Sequence, residues 1–242
     1  MLELKNISFS AESDGDTKGI IRGISLNIPE NKFIVITGPN GGGKSTLAKL
    51  IAGIEKCSAG SIIFNGTDIT DMSITDRARL GIGFAFQQPV RFKGMTVLDI
   101  LRIAAGKALS VSEACDYLSE VGLCAKEYIN REINASLSGG EVKRIEIATV
   151  LARDVKLAIF DEPEAGIDIW SFNNLIRIFE KMRSSGKERS IIVISHQERI
   201  LNIADEIIVI ADGRIVKQGA REAVLPEITG TESAVDVCGR IK

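Results

Sequence analysis

The sequence predicts an α/β fold with a mostly parallel core sheet, an antiparallel β subdomain and an α-helical insert. Three observations predict it. An apolar run at residues 33–36 reads as a buried strand and leads through the glycine-rich loop Gly38-Pro39-Asn40-Gly41-Gly42-Gly43-Lys44-Ser45 into a helix. The short runs at 157–160 and 190–194 are apolar without alternation, as strands buried on both faces are. Residues 89–136 carry helical periodicity over a stretch too long for a structureless loop, and so read as a helical insert within one domain of residues 1–242.

Taken in order, residues 2–9 alternate apolar and polar, and residues 19–28 repeat the pattern at Ile24, Leu26 and Ile28. Two antiparallel strands follow, joined by the polar segment 10–18. Residues 46–52 form the helix after the loop, stopped by Gly53. Residues 60–64 read as a strand ended by the turn pair Asn65-Gly66, 67–79 carry a short helix, and 81–86 a strand halted at Gln87-Gln88-Pro89. Helices are expected at 97–106 and, behind a Ser110/Glu113 capping box, at 111–121. Leu137-Ser138-Gly139-Gly140-Glu141 then places a serine and two glycines at the N-terminus of an amphipathic helix over 142–153, with Val142, Ile145, Ala148 and Leu151 along one side. Gly166-Ile167-Asp168 turns into a helix over 169–183, and residues 206–211 and 214–218 flank Asp212-Gly213 as a hairpin. The tail, 221–242, reads either as a short helix with a loose end or as a partner-docking segment.

With 242 residues, 45% of them hydrophobic, the chain can bury a substantial core. A formal charge of -2 gives no long-range attraction for a phosphate backbone, so nucleic acid is not the expected partner. No apolar run approaches the roughly 18 residues that cross a bilayer, and the N-terminus lacks the pattern of a leader. The expectation is a soluble, cytoplasmic protein without direct membrane insertion. Cys57, Cys115, Cys124 and Cys238 form no C-x-x-C pair or metal cluster, and are read mostly as small core residues.

The loop at 38–45 fills every fixed position of a phosphate-binding loop. Successive backbone N–H groups must wrap a polyphosphate, and glycines let the main chain approach without a Cβ in the way. The helix beginning at Thr46 aims its positive end at the anion. Lys44 supplies a full charge for the β- and γ-phosphates, and the Ser45 hydroxyl is an expected Mg²⁺ ligand. Asp161 and Glu162 end the apolar run at 157–160. The first is the expected holder of the Mg²⁺ water shell, and the second could polarise an attacking water. Gln87 ends one strand, and His196, the single histidine, follows another, each where a side chain can face the phosphates.

These motifs, in this order and spacing, resemble the nucleotide-binding domain of ABC-type ATPases over roughly residues 1–220. The Leu-Ser-Gly-Gly-Glu signature makes the resemblance specific. It implies the P-loop ABC ATPase fold, Mg²⁺-dependent hydrolysis of ATP to ADP and phosphate, and an ATP-dependent head-to-tail homodimer. In that dimer Ser138, Gly139 and Gly140 of one subunit close on ATP held by the loop of the other. It further implies that Gln87 binds Mg²⁺ and senses the γ-phosphate, that Glu162 is the catalytic carboxylate, that Asp168 communicates across the interface and that His196 contacts the γ-phosphate. Family transporters usually stack adenine on a tyrosine near the first strand, where this chain has Phe9. Residues 84–90, Gly166-Ile167-Asp168-Ile169, 195–201 and 213–219 are similar to the SUF-type iron-sulfur cluster assembly ATPases (SufC). That similarity implies a soluble SufB/SufD-like scaffold as partner; the alternative is the permease subunits of an ABC membrane transporter.

Overall fold

Alternating apolar side chains at 2–9 and 19–28 lie in a long antiparallel pair, β1 (Leu2–Ser13) and β2 (Asp16–Ile28), with Leu4 opposite Leu26 and Ser13 opposite Asp16. Of the polar segment 10–18 expected to join two short strands, residues 10–13 and 16–18 are themselves strand, because the ladder is made by backbone groups and continues where the side chains have ceased to alternate. This computed structural model describes residues 1–13, 16–134, 136–184 and 188–230, and the side chains of these except 12, 13, 16, 17, 169 and 170. The elements continue as β3 (Phe33–Thr37), α1 (Lys44–Ala52), β4 (Ala59–Phe64), β5 (Thr67–Asp68), α2 (Ile74–Arg79), β6 (Ile82–Ala85), α3 (Val97–Ala105), α4 (Val111–Glu120) and α5 (Ala125–Tyr128). After these come α6 (Gly139–Ala152), β7 (Leu157–Asp161), α7 (Ile169–Ser184), β8 (Ser190–Ile194), α8 (Glu198–Leu201), β9 (Glu206–Ala211), β10 (Arg214–Ala220) and α9 (Arg221–Thr229). The chain divides into two units, one of Met1–Ile74 with the chain from Ile192 onward, the other of Thr75–Ile191.

In the first unit, β1 pairs on its other edge with β4, and Asn65 and Gly66, at φ 50° and 78°, turn β4 into β5. Leu2, Leu4, Ile7, Ile24, Leu26, Ile28, Ile62 and Phe64 supply the buried side. A second sheet runs β10-β9-β3-β8. Strand β3 is buried at all five positions and lies parallel to β9, Ile34 beside Glu206. Its start is fixed twice, by the Phe33 N–H donating to Asp205 Oδ2 at 2.8 Å and the Asp205 N–H donating to Phe33 O at 2.8 Å. The C-terminal end of β3 therefore emerges at a defined point, and the phosphate loop starts there.

In the second unit, β6 and β7 are parallel from Ile82 beside Leu157 to Ala85 beside Phe160. Three helices begin with reciprocal capping boxes, Thr96/Asp99 on α3, Ser110/Glu113 on α4 and Ser138/Glu141 on α6. The expected stripe of α6 is buried, but so are Lys143, Ile147 and Val150. This helix is therefore enclosed all round rather than amphipathic, and only its N-terminus is open. The cysteines also depart from expectation: Cys57 and Cys115 are half-buried and Cys124 is exposed, so none of the three is core. Among the described residues no helix is long and apolar enough to cross a membrane.

Candidate functional site

Backbone geometry sets the shape of the phosphate loop. Gly38, Gly41 and Gly43 sit at φ 130°, 76° and 100°, where an L side chain is strained. A Cβ on Gly38 would lie 2.0 Å from Ile210 O. Gly38→Ala should consequently destabilise the protein by about 1–3 kcal/mol, seen as a fall in Tm of about 2–4 °C per kcal/mol; an unchanged Tm would show that the loop yields freely. Gly43 caps α1, whose first N–H groups have no side-chain cap, and such an end attracts anions. Lys44 is 5% exposed, and its ammonium donates to Gly38 O at 2.8 Å and Pro39 O at 2.9 Å. Ser45 and Thr46 are half-buried in the first turn, while Pro39, Asn40 and Gly41 are exposed. His196, in the same unit, is exposed just beyond β8, after the fully buried Ser195. Phe9 is half-buried on β1.

One brace of the loop escaped the sequence reading. The Gly213 N–H donates to Gly42 O at 3.0 Å, and Gly213 O accepts from the Arg22 N–H at 2.9 Å. The turn between β9 and β10 thus holds the phosphate loop from behind. Asp212-Gly213 announced a turn, but nothing local announced what it touches.

In the second unit, β7 delivers Asp161 buried to 2% exposure. Glu162 follows in the left-handed region at φ 44°, so its backbone leaves the ladder there. It is half-buried, and its Oε2 accepts a hydrogen bond from Gln87 Nε2 at 2.6 Å. The ends of β6 and β7 therefore bring together two residues that the sequence singled out separately, and the Gln87 amide oxygen stays available to a cation.

Ser138 caps α6, its Oγ accepting the Glu141 N–H at 3.2 Å and its N–H donating to Glu141 Oε2 at 2.6 Å. Glu141 also accepts from the Tyr128 hydroxyl, and the Arg131 guanidinium lies 5.1 Å from that ring's centre. The Tyr128 hydroxyl, chiefly, and the Ser138 donors hold the Glu141 carboxyl below the usual range against the effect of burial; the same bond raises Tyr128. Arg144 donates to Gly140 O at 3.3 Å and to Gly122 O at 3.1 Å. Around this fixed end, Ser138 and Gly139 are exposed, and a Cβ on Gly140 would meet nothing within 4 Å. Asp168 is exposed at the head of α7, accepting from the Ser171 N–H at 3.0 Å and hydroxyl at 2.7 Å.

Among the described residues no three His, Cys, Asp or Glu side chains are grouped to hold a metal. The Asp161 carboxylate and the Gln87 amide in the second unit, and the Ser45 hydroxyl in the first, each carry hard oxygens, the donor type that Mg²⁺ takes. Beyond α9 the expected docking tail and Cys238 lie outside the described residues.

The ABC transporter family model matches residues 21–165. An uncharacterised ABC transporter ATP-binding protein of Methanocaldococcus jannaschii, MJ0035, is 40% identical over 208 residues, covering 83% of this chain and 82% of that protein. A probable ATP-dependent transporter of Antithamnion, ycf16, is 35% identical over 240 residues and 93% of both chains. Among solved structures, the ADP conformation of MJ1267, an ATP-binding cassette of an ABC transporter, superposes with a TM-score of 0.81 at 26% identity, covering 99% of this chain and 98% of that one.

Proposed function

The chain belongs to the ABC transporter family and is an ATPase that binds ATP with Mg²⁺, and from that premise we propose that it is the ATP-binding subunit of an ABC transporter. It works as a homodimer in the cytoplasm, where ATP is supplied. The observation that carries the reading is the similarity to an ABC transporter ATP-binding protein over more than four-fifths of both chains. Exposed apolar side chains within 89–136 support it: Val90, Phe92 and Ile103 are 48%, 43% and 67% exposed.

In the proposed reaction, the loop N–H groups and the Lys44 ammonium hold the β- and γ-phosphates of ATP, with Gly38, Pro39, Asn40, Gly41, Gly42, Gly43 and Thr46 shaping the cradle. Ser45, Gln87 and Asp161 would hold Mg²⁺, which when bound neutralises charge on the phosphate oxygens. Glu162 accepts a proton from water as the water oxygen bonds to the γ-phosphorus. The bond to the ADP oxygen breaks, and ADP leaves with its electron pair. Gln87 keeps Glu162 oriented, and His196 contacts the γ-phosphate. Ser138, Gly139 and Gly140 of the other subunit close on the same nucleotide, and Asp168 transmits its state across the interface. The open N-terminus of α6 is what such a closure needs.

A second reading, the motor of a soluble SufB/SufD-like iron-sulfur scaffold, is favoured by Gly166-Ile167-Asp168-Ile169 and by the sequence at 195–201. Affinity capture of the tagged chain separates the two. Recovery of a multispanning membrane protein is the expected result; recovery of a cysteine-bearing soluble scaffold instead would replace the transporter reading with the second.

A further inference from the structure

The ladder between β6 and β7 ends at Ala85 beside Phe160, so the N–H and C=O of the next residue, Phe86, must find partners outside this ladder. It finds them on α6. The Phe86 N–H donates to Glu146 Oε1 at 2.8 Å, and Phe86 O accepts from the Lys143 ammonium. The same ammonium reaches Gln87 O at 3.4 Å and lies 3.2 Å from Glu146 Oε2. The Lys143 side chain is 1% exposed and that of Glu146 12%, and burial pushes the Glu146 carboxyl up while Lys143 and the Phe86 N–H pull it back. Two charges one helical turn apart thus bracket both main-chain polar groups of one residue, in place of a strand. Downstream, Arg91 Nη1 donates to Asn134 O at 2.8 Å and Nη2 to Leu137 O at 3.4 Å.

Stability alone does not account for this arrangement. Apolar residues of similar volume in place of a buried ion pair are often neutral or stabilising, but they would leave the Phe86 N–H and C=O unmet. What the pair supplies is position. The residue it leads into is Gln87, whose amide lies on Glu162.

We propose that Lys143 and Glu146 are positioning residues of the ATPase. They fix the Phe86–Gln87 backbone so that the Gln87 amide stays on the Glu162 carboxylate. Arg91 fastens the far side of the segment to the backbone just before Ser138, so the Gln87 strand end and the signature helix keep a common alignment. This inference rests on the reading of Gln87 and Glu162 as a working pair.

The test is a double-mutant cycle on the full chain, with kcat and ATP Kd measured separately. Lys143→Met is expected to lower kcat about tenfold, as a displaced reacting group does, with Kd changed less than twofold. In a Gln87→Ala background the same substitution is expected to have no further effect. Should Lys143→Met fold poorly, Lys143→Met with Glu146→Leu serves, since neither charge is then buried alone. An equal loss in both backgrounds, or no loss in the wild-type background, overturns this inference alone. A Gln87→Ala variant as fast as the wild type removes the role given to Gln87, and the inference falls with it.

Discussion

Glu162→Gln is expected to lower ATP turnover by about 10²-fold or more, with ATP affinity nearly unchanged. The argument is chemical. The substitution keeps the length and planar end of the side chain, and an amide oxygen can still accept the 2.6 Å bond from Gln87, so the geometry of the β7 end survives. What is lost is the only function an amide cannot perform, taking a proton from water as its oxygen meets phosphorus. About 10²-fold corresponds to about 2.7 kcal/mol of activation free energy, within what a general base supplies. With cleavage blocked, ATP and Mg²⁺ should hold the closed dimer, and light scattering should register a doubled mass for the variant. Turnover equal to that of the wild type would remove Glu162 from the mechanism.

Lys44→Ala should act on binding instead. The ammonium is buried and already aimed within the loop, resting on Gly38 O and Pro39 O. Hydrogen bonds to charged groups are worth about 1.5–3 kcal/mol each, so losing two to phosphate weakens ATP affinity by about 10²-fold or more. Titration calorimetry with ATP and Mg²⁺ reads this directly, and an affinity within threefold of wild type would sink the assignment. The two variants are expected to separate capture from cleavage: the glutamate variant should hold ATP and cut it slowly, and the lysine variant should hold it weakly.

Much of this was legible in the sequence because its causes are local. The phosphate loop declares itself through glycines, of which Gly38 and Gly43 sit at φ 130° and 100°, angles that a side chain strains. Ser110/Glu113, Asn65-Gly66 and Asp212-Gly213 stand where they were expected because a cap or a tight turn is decided within four residues. What escaped reading depends on distant chain. Lys143 looks like a solvated position beside the apolar stripe of α6, yet it is fully buried because its acceptor, Phe86 O, arrives from 57 residues earlier. The strand character of the segment after Phe9 was hidden because its side chains do not alternate. The four-residue helices α5 and α8 are too short to show a period. The contact between Gln87 and Glu162, 75 positions apart, follows only once β6 is set beside β7.

The glycine-rich loop lies near the start of the chain, while its backing, Gly213, lies 171 positions after Gly42, and the start of β3 is fixed by Asp205, just before β9. During synthesis the glycine-rich segment leaves the ribosome long before its support exists. A nascent chain therefore has no shaped grip on nucleotide until nearly the whole cassette has emerged, and ATP can stabilise only molecules in which both distant stretches have met.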